Sequence, residues 1–210
     1  MTTKRTVGID LGTTYSVAAW IDGTDRTAVI ANSEGETLTP SVVVFEEDAI
    51  VVGKEAKKLR VMQAERLAEC VKRDMGNPFF SRAIDGEYLP PEVIQACILK
   101  KMRQDIVAKI GPDFGAVITV PAFFDDSRRR ATAIAGEIAG LHVLDIVNEP
   151  VAGALAFGEH MGMLRATGPE SAAFKVLVYD LGGGTFDATL LEIDHSGFRT
   201  LVTDGDVHLG

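Results

Sequence analysis

The sequence predicts an α/β fold, a mixed β-sheet flanked by helices. Two glycine-containing turns, Asp10-Leu11-Gly12-Thr13-Thr14-Tyr15 and Asp180-Leu181-Gly182-Gly183-Gly184-Thr185, each follow a short apolar strand and precede another strand-like run. Between them, helical and strand patterns alternate. The composition is ordinary for a globular chain: 210 residues, 46% hydrophobic and 24% charged. That length holds one large or two small domains.

Residues 6–10 read as a buried strand. Val17–Ile21 continues after the turn, and Thr27–Ala31 follows Asp22-Gly23, which makes a β-meander. Ser41–Phe45 and Ile50–Val52 form a second hairpin around Glu46–Asp48. Lys54–Lys72 has helical spacing through Ala56, Leu59, Met62 and Leu67, and Met75–Gly86 is turn-rich. Pro90-Pro91-Glu92 starts a helix, because proline suits the first turn. Its inward stripe is Val93, Cys97, Ile98, Met102 and Ile106, and Gly111-Pro112 ends it. Ala116–Val120 is a strand stopped by Pro121. Asp126 or Ser127 caps a helix that turns Ala131, Ile134, Ile138 and Ala139 inward and stops at Gly140. Val143–Val147 is a strand and Glu149–Met161 a helix. Residues 162–174 read as a surface loop. Lys175–Tyr179, Thr189–Ile193 and Phe198–Val202 are strands of a second meander. The order implies one complete α/β unit and the opening of another, with the boundary inside 162–174.

The repeated turn has a chemical logic. Glycine permits positive φ and close backbone approach to a ligand. Successive N–H groups in such a turn form an anion nest, and threonine hydroxyls add donors. An Asp at the strand end repels phosphate directly but can hold a hydrated divalent cation that phosphates also touch. Mg²⁺ suits this, since it keeps its waters and takes few carboxylates. Two such turns point to a duplicated fold that closes on one polyanion, as in ATP-handling enzymes.

The net charge of −9 argues against a nucleic-acid partner. Cys70 and Cys97 form no CxxC and read as buried, reduced thiols inside helices. His142, His160, His195 and His208 sit apart and form no metal-ligand pattern. Thr6–Leu11 is too short for a signal peptide, and no apolar run reaches membrane-spanning length. A cytoplasmic location is the expectation.

Together the motifs resemble the seventy-kilodalton heat-shock chaperones, the DnaK-like family. The resembling segments are Val7–Ser16, Val120–Phe124, Ala139–Leu141, Asn148–Pro150 with Ala154–Gly158, Asp180–Asp187 and Gly205–Gly210. The resemblance implies an actin-like, ribonuclease-H-like ATPase with two lobes around a nucleotide cleft. Residues 1–165 would be the first lobe and 166–210 the start of the second. Asp10 and Asp180 would orient hydrated Mg²⁺ and the phosphates of ATP or ADP. Gly12, Thr13, Thr14 and Tyr15 would grip phosphate from one side, and Gly182, Gly183, Gly184 and Thr185 from the other. Lys72 matches the family's catalytic lysine. Glu149, at a strand end before Pro150, would polarise the attacking water or order a metal-bound one. Potassium would bind near Asp10, Tyr15, Asp180 and Asp187. Pro121 and Arg129 match the positions that relay nucleotide state to a peptide-binding domain.

The resemblance further implies client polypeptides, a J-domain co-chaperone and a nucleotide exchange factor as partners, with no membrane partner. The chain departs from the family in a short Met75–Glu87 connector, which bears on exchange-factor contacts. Val151 stands where the family usually has Thr, and Gly153 where it usually has Ala. The adenosine-clamping segments and peptide-binding domain would lie beyond Gly210, so these 210 residues alone are expected to be inactive or very weak and to self-associate. A sugar kinase of the same superfold, a non-catalytic scaffold and a filament-forming actin relative are the competing readings.

Overall fold

A computed structural model describes residues 5–162, 173–194, 197–206 and 209. The elements run β1 (Arg5–Leu11), β2 (Tyr15–Ile21), β3 (Thr27–Ile30), β4 (Thr39–Pro40), β5 (Val42–Phe45), β6 (Ile50–Val52), α1 (Lys54–Lys58) and β7 (Leu67–Glu69). They continue with α2 (Pro91–Ile110), β8 (Phe114–Val120), α3 (Asp126–Ile138), β9 (Val143–Asn148), α4 (Glu149–His160), β10 (Phe174–Leu181), β11 (Phe186–Asp194) and β12 (Gly197–Asp206).

The first sheet has the order β3-β2-β1-β8-β9, with β4 paired to β2. The tight turns make β1, β2 and β3 antiparallel, whereas β8 and β9 join in parallel. Parallel neighbours need a long crossover, and α3 supplies it between β8 and β9. The sheet is therefore mixed, as the sequence predicts. Val7, Ile9 and Leu11 alternate into the core from β1 and meet Ile94, Ile98, Leu99 and Ile106 of α2. Removing such aliphatic side chains from water stabilises the fold by roughly 1.5–3 kcal/mol each.

Several local expectations are overturned. The helix expected over Lys54–Lys72 stops at Lys58, and Met62 is 83% exposed. Leu67 and Ala68 instead bury themselves in β7, which pairs antiparallel with β5. Strand pairing across the chain outweighs the local helical spacing. Cys70 is not in a helix: it takes a left-handed φ of 57° and turns the chain into a 3-10 turn at Val71–Asp74. Both cysteines are free and half-buried rather than buried.

In α2 Val93 faces outward and Ile94 inward. Asp125, not Asp126 or Ser127, caps α3, and its carboxylate accepts the Arg128 N–H at 2.9 Å. Ile134 and Ile138 of α3 are exposed, and its inward face is Ala131, Thr132, Ala135 and Gly136. At Gly136 the helix lies too close to the sheet for any side chain. A Cβ at Gly136 would come within 2.6 Å of Val143 Cγ2 and 3.1 Å of Ile118 Cδ1.

A second sheet of order β10-β11-β12 is antiparallel throughout. Helix α4 lies against it and buries Val151 and Ala154 with Leu191 and Ile193. Val151 thus serves as a packing side chain, where a threonine hydroxyl would need a partner. The boundary expected in 162–174 falls largely outside the described residues, as do His195 and His208.

Candidate functional site

The first strands of these two sheets, β1 and β10, each run through an aspartate to a final leucine, and each is followed by a glycine turn. β1 ends in Asp10-Leu11, and a Cβ on Gly12 would strike the carbonyl of Tyr15. β10 ends in Asp180-Leu181, and the Gly182 N–H closes the second turn on the Thr185 carbonyl at 3.0 Å. The two turns face one another across a cleft of about 460 Å³.

Asp10, Gly12, Thr13, Thr14 and Tyr15 line it from one side and Asp180, Gly182, Gly183 and Thr185 from the other. Lys72, Thr119 and Glu149 complete the polar lining, beside Gly153. Leu181 and Gly184 of the second turn are not part of that lining. The turns also touch: a Cβ on Gly183 would overlap the Thr14 side chain, and one on Gly184 would lie 2.5 Å from Thr13 Cγ2.

Lys72 is 4% exposed and forms an ion pair with Glu149. It reaches the cleft from the 3-10 turn Val71–Asp74, not from the helix expected there. Glu149 is the first residue of α4, directly after β9. Burial raises its carboxyl above the ordinary range. The Lys72 charge and hydrogen bond oppose this, while Asp10 and Asp180 add to it. Asp187 sits opposite Asp180 in the β10–β11 ladder and opposite Gly205 in β12. Burial, then the charges of Glu149 and Asp180, push its carboxyl up to about 7, against a downward pull from the Ala122 amide and the Lys72 charge. Its Oδ1 is buried without a hydrogen-bond partner.

Pro121 closes β8 and is buried. Arg129 is half-buried on α3, outside the cleft lining. Its guanidinium donates to Asn148 Oδ1 and to the Ile146 carbonyl, both at 2.6 Å, so it braces the strand end that presents Glu149. Among the described residues no three His, Cys, Asp or Glu side chains converge closely enough to hold a bare metal ion. No helix among them is long and apolar enough to cross a membrane.

Sequence reasoning missed three residues. The Thr119 hydroxyl donates to Asp10 Oδ1 at 2.9 Å. The only signal for it was a hydroxyl residue in the apolar run Ala116–Val120. Lys57 donates to the Tyr15 hydroxyl at 2.7 Å and lies 4.8 Å from the ring centroid, a cation–π contact. Arg73 Nε donates to the Gly184 carbonyl at 3.0 Å. Nothing local marks either of these two, because their partners lie far along the chain.

A mixed sheet and a second sheet, each ending its first strand in Asp-Leu with a glycine turn at one shared cleft, define the actin-like class of fold. The family model described as Hsp70 protein matches residues 6–210, and the chain belongs to that family. The chain is 49% identical over 206 residues to the "Chaperone protein DnaK" of Thermotoga neapolitana, and equally to that of Thermotoga maritima. The protein of that name from Thermosipho africanus is 47% identical over the same length. Each alignment covers 97% of this chain and 33% of the relative. The chain thus spans about a third of the length of these curated relatives.

Proposed function

We propose that these residues form the phosphate-gripping part of an ATP-hydrolysing domain in a DnaK-like chaperone that assists protein folding. The observation that carries this is the convergence of the two Asp-Leu-Gly turns on one cleft floored by the Lys72–Glu149 pair. The turn amides with Thr13, Thr14 and Thr185 grip phosphate oxygens. The Lys72 ammonium holds the attacking water in line and offsets charge that builds on the transferred phosphoryl group. Glu149 accepts a hydrogen bond from that water and orients it.

Asp10 and Asp180 would hold Mg²⁺ through its waters, in keeping with carboxylates that line the cleft without converging on a bare ion. Bound there, Mg²⁺ neutralises phosphate charge. The unpartnered Asp187 oxygen suits a single ligand position for a potassium ion near the phosphates. The Arg129–Asn148 bond supports a relay from α3 toward the cleft, with Pro121 at the turn between β8 and α3. Client polypeptides, a J-domain co-chaperone and an exchange factor are the proposed partners of the whole protein, in the cytoplasm.

The test is ATP turnover by the full-length protein with unfolded polypeptide and J-domain co-chaperone added, beside a coupled assay with sugars. Hydrolysis stimulated by client and co-chaperone is expected. Phosphoryl transfer to a sugar would overturn the chaperone reading.

A further inference from the structure

Arg73 follows Lys72 in the 3-10 turn Val71–Asp74 and is not part of the cleft lining. Its Nε donates to the carbonyl of Gly184, 111 residues away, at 3.0 Å. A Cβ on Gly184 would come 3.2 Å from both Arg73 Nε and its terminal nitrogen, so the guanidinium is seated flush against that peptide. The described peptide bonds are all trans. In a trans peptide the C=O of one residue and the N–H of the next point in opposite directions. With the Gly184 carbonyl held toward Arg73, the Thr185 N–H is aimed the other way. Thr185 lines the cleft and Gly184 does not.

We infer that Arg73 is a positioning residue for the second phosphate turn. It sets the 184–185 peptide so that an amide donor, and not a carbonyl oxygen, meets the phosphate. A carbonyl turned inward would repel the same anion. The cation behind the carbonyl also polarises the peptide and strengthens the donor in front. Because Lys72 and Arg73 share one short turn, the ammonium that pairs with Glu149 and the orientation of the opposing turn are set by the same few residues. This inference rests on the ATPase reading given above.

The experiment compares Arg73→Ala and Arg73→Lys in the full-length protein. It reads kcat and KM for ATP, melting temperature, and hydrogen exchange across residues 182–185. Arg73→Ala is expected to lower kcat/KM on the order of tenfold, the usual loss for a hydrogen bond to a charged group. Exchange at the 182–185 turn should quicken. Free guanidinium, well below denaturing concentration, should restore part of the rate and of the protection. Arg73→Lys should retain most of both, since an ammonium also donates to a carbonyl. If Arg73→Ala only lowers the melting temperature and guanidinium restores nothing, Arg73 is a mere tether and the inference falls. Unchanged turnover and unchanged exchange would also overturn it. A parent protein without ATPase activity would overturn the function itself, while exchange at 182–185 would still judge the peptide orientation.

Discussion

Lys72 and Glu149 hold one another in a nearly dry part of the cleft, so removing either partner does more than delete a contact. In Lys72→Ala the full-length protein should lose on the order of 10²-fold or more in kcat, with ATP affinity nearly unchanged. That pattern marks a contact made only in the transition state. Single-turnover rates and equilibrium binding measure it, and an unchanged rate would reduce Lys72 to a structural partner of Glu149.

Asp187 makes a separate, pH-dependent prediction. Its carboxyl titrates near 3.8 in an open chain and at about 7 in the fold. Between those values the folded state binds the extra proton, so stability is full below about 3.8 and falls as pH rises toward 7. Asp187→Asn cannot ionise and escapes this loss. Its melting temperature should exceed the parent's by a margin that grows from acid to mildly alkaline pH, and added potassium should narrow it. A margin independent of pH would show that Asp187 is not held against ionisation.

At the scale of elements, the two turns are packed against each other as well as lining a shared cleft. Gly183 has no room for a side chain because Thr14 fills the space, and Gly184 is similarly closed by Thr13. Gly183→Ala should therefore destabilise the protein by about 1–3 kcal/mol, the usual cost of overpacking. Thr14→Ala should relieve part of that cost in the double variant, because residues in contact are energetically coupled. Chemical denaturation of the four proteins measures the coupling. Strictly additive effects would mean that the turns do not touch in solution. The same contact explains why glycine is needed at these positions even though neither Gly183 nor Gly184 has positive φ.

For the whole molecule, the second sheet is only half used among the described residues. Val176 and Val178 of β10 pack toward α4, while Leu177, Tyr179 and Leu181 on the other face are about 60% exposed. β12 is exposed along nearly its whole length, and only β11 has a partner on both sides. Exposed apolar edge strands recruit further strands. The 210-residue polypeptide on its own should self-associate, and Leu177→Lys should lower the associated fraction. It should also bind ATP more weakly than micromolar. The turn amides and threonines proposed to grip phosphate would act in an open, screened groove, and Tyr15 is the only aromatic side chain in the described lining. Light scattering and titration calorimetry test both statements. Micromolar or tighter affinity in a clean monomer would show these residues sufficient for the nucleotide.

Much of this was written locally. Asp-Leu-Gly after an apolar strand is turn chemistry contained in a few residues. Both turns, the strands around them and the positions of Asp10, Asp180 and Glu149 at strand ends were therefore legible in the sequence by itself. The order of strands and helices likewise predicts the mixed α/β sheet, and the actin-like fold followed from the resemblance of the motifs to the DnaK-like family. What the tertiary structure decided is whatever depends on partners distant in the chain. The stretch after Lys58 becomes β7 because β5 offers an edge. α3 turns alanines inward because the sheet beneath it is close. Lys72 meets Glu149 across 77 residues, and Arg73 meets Gly184 across 111. Periodicity reports which face of an element is apolar, but not how near its neighbour will lie or which backbone group will need a donor. Those are set only when the elements pack.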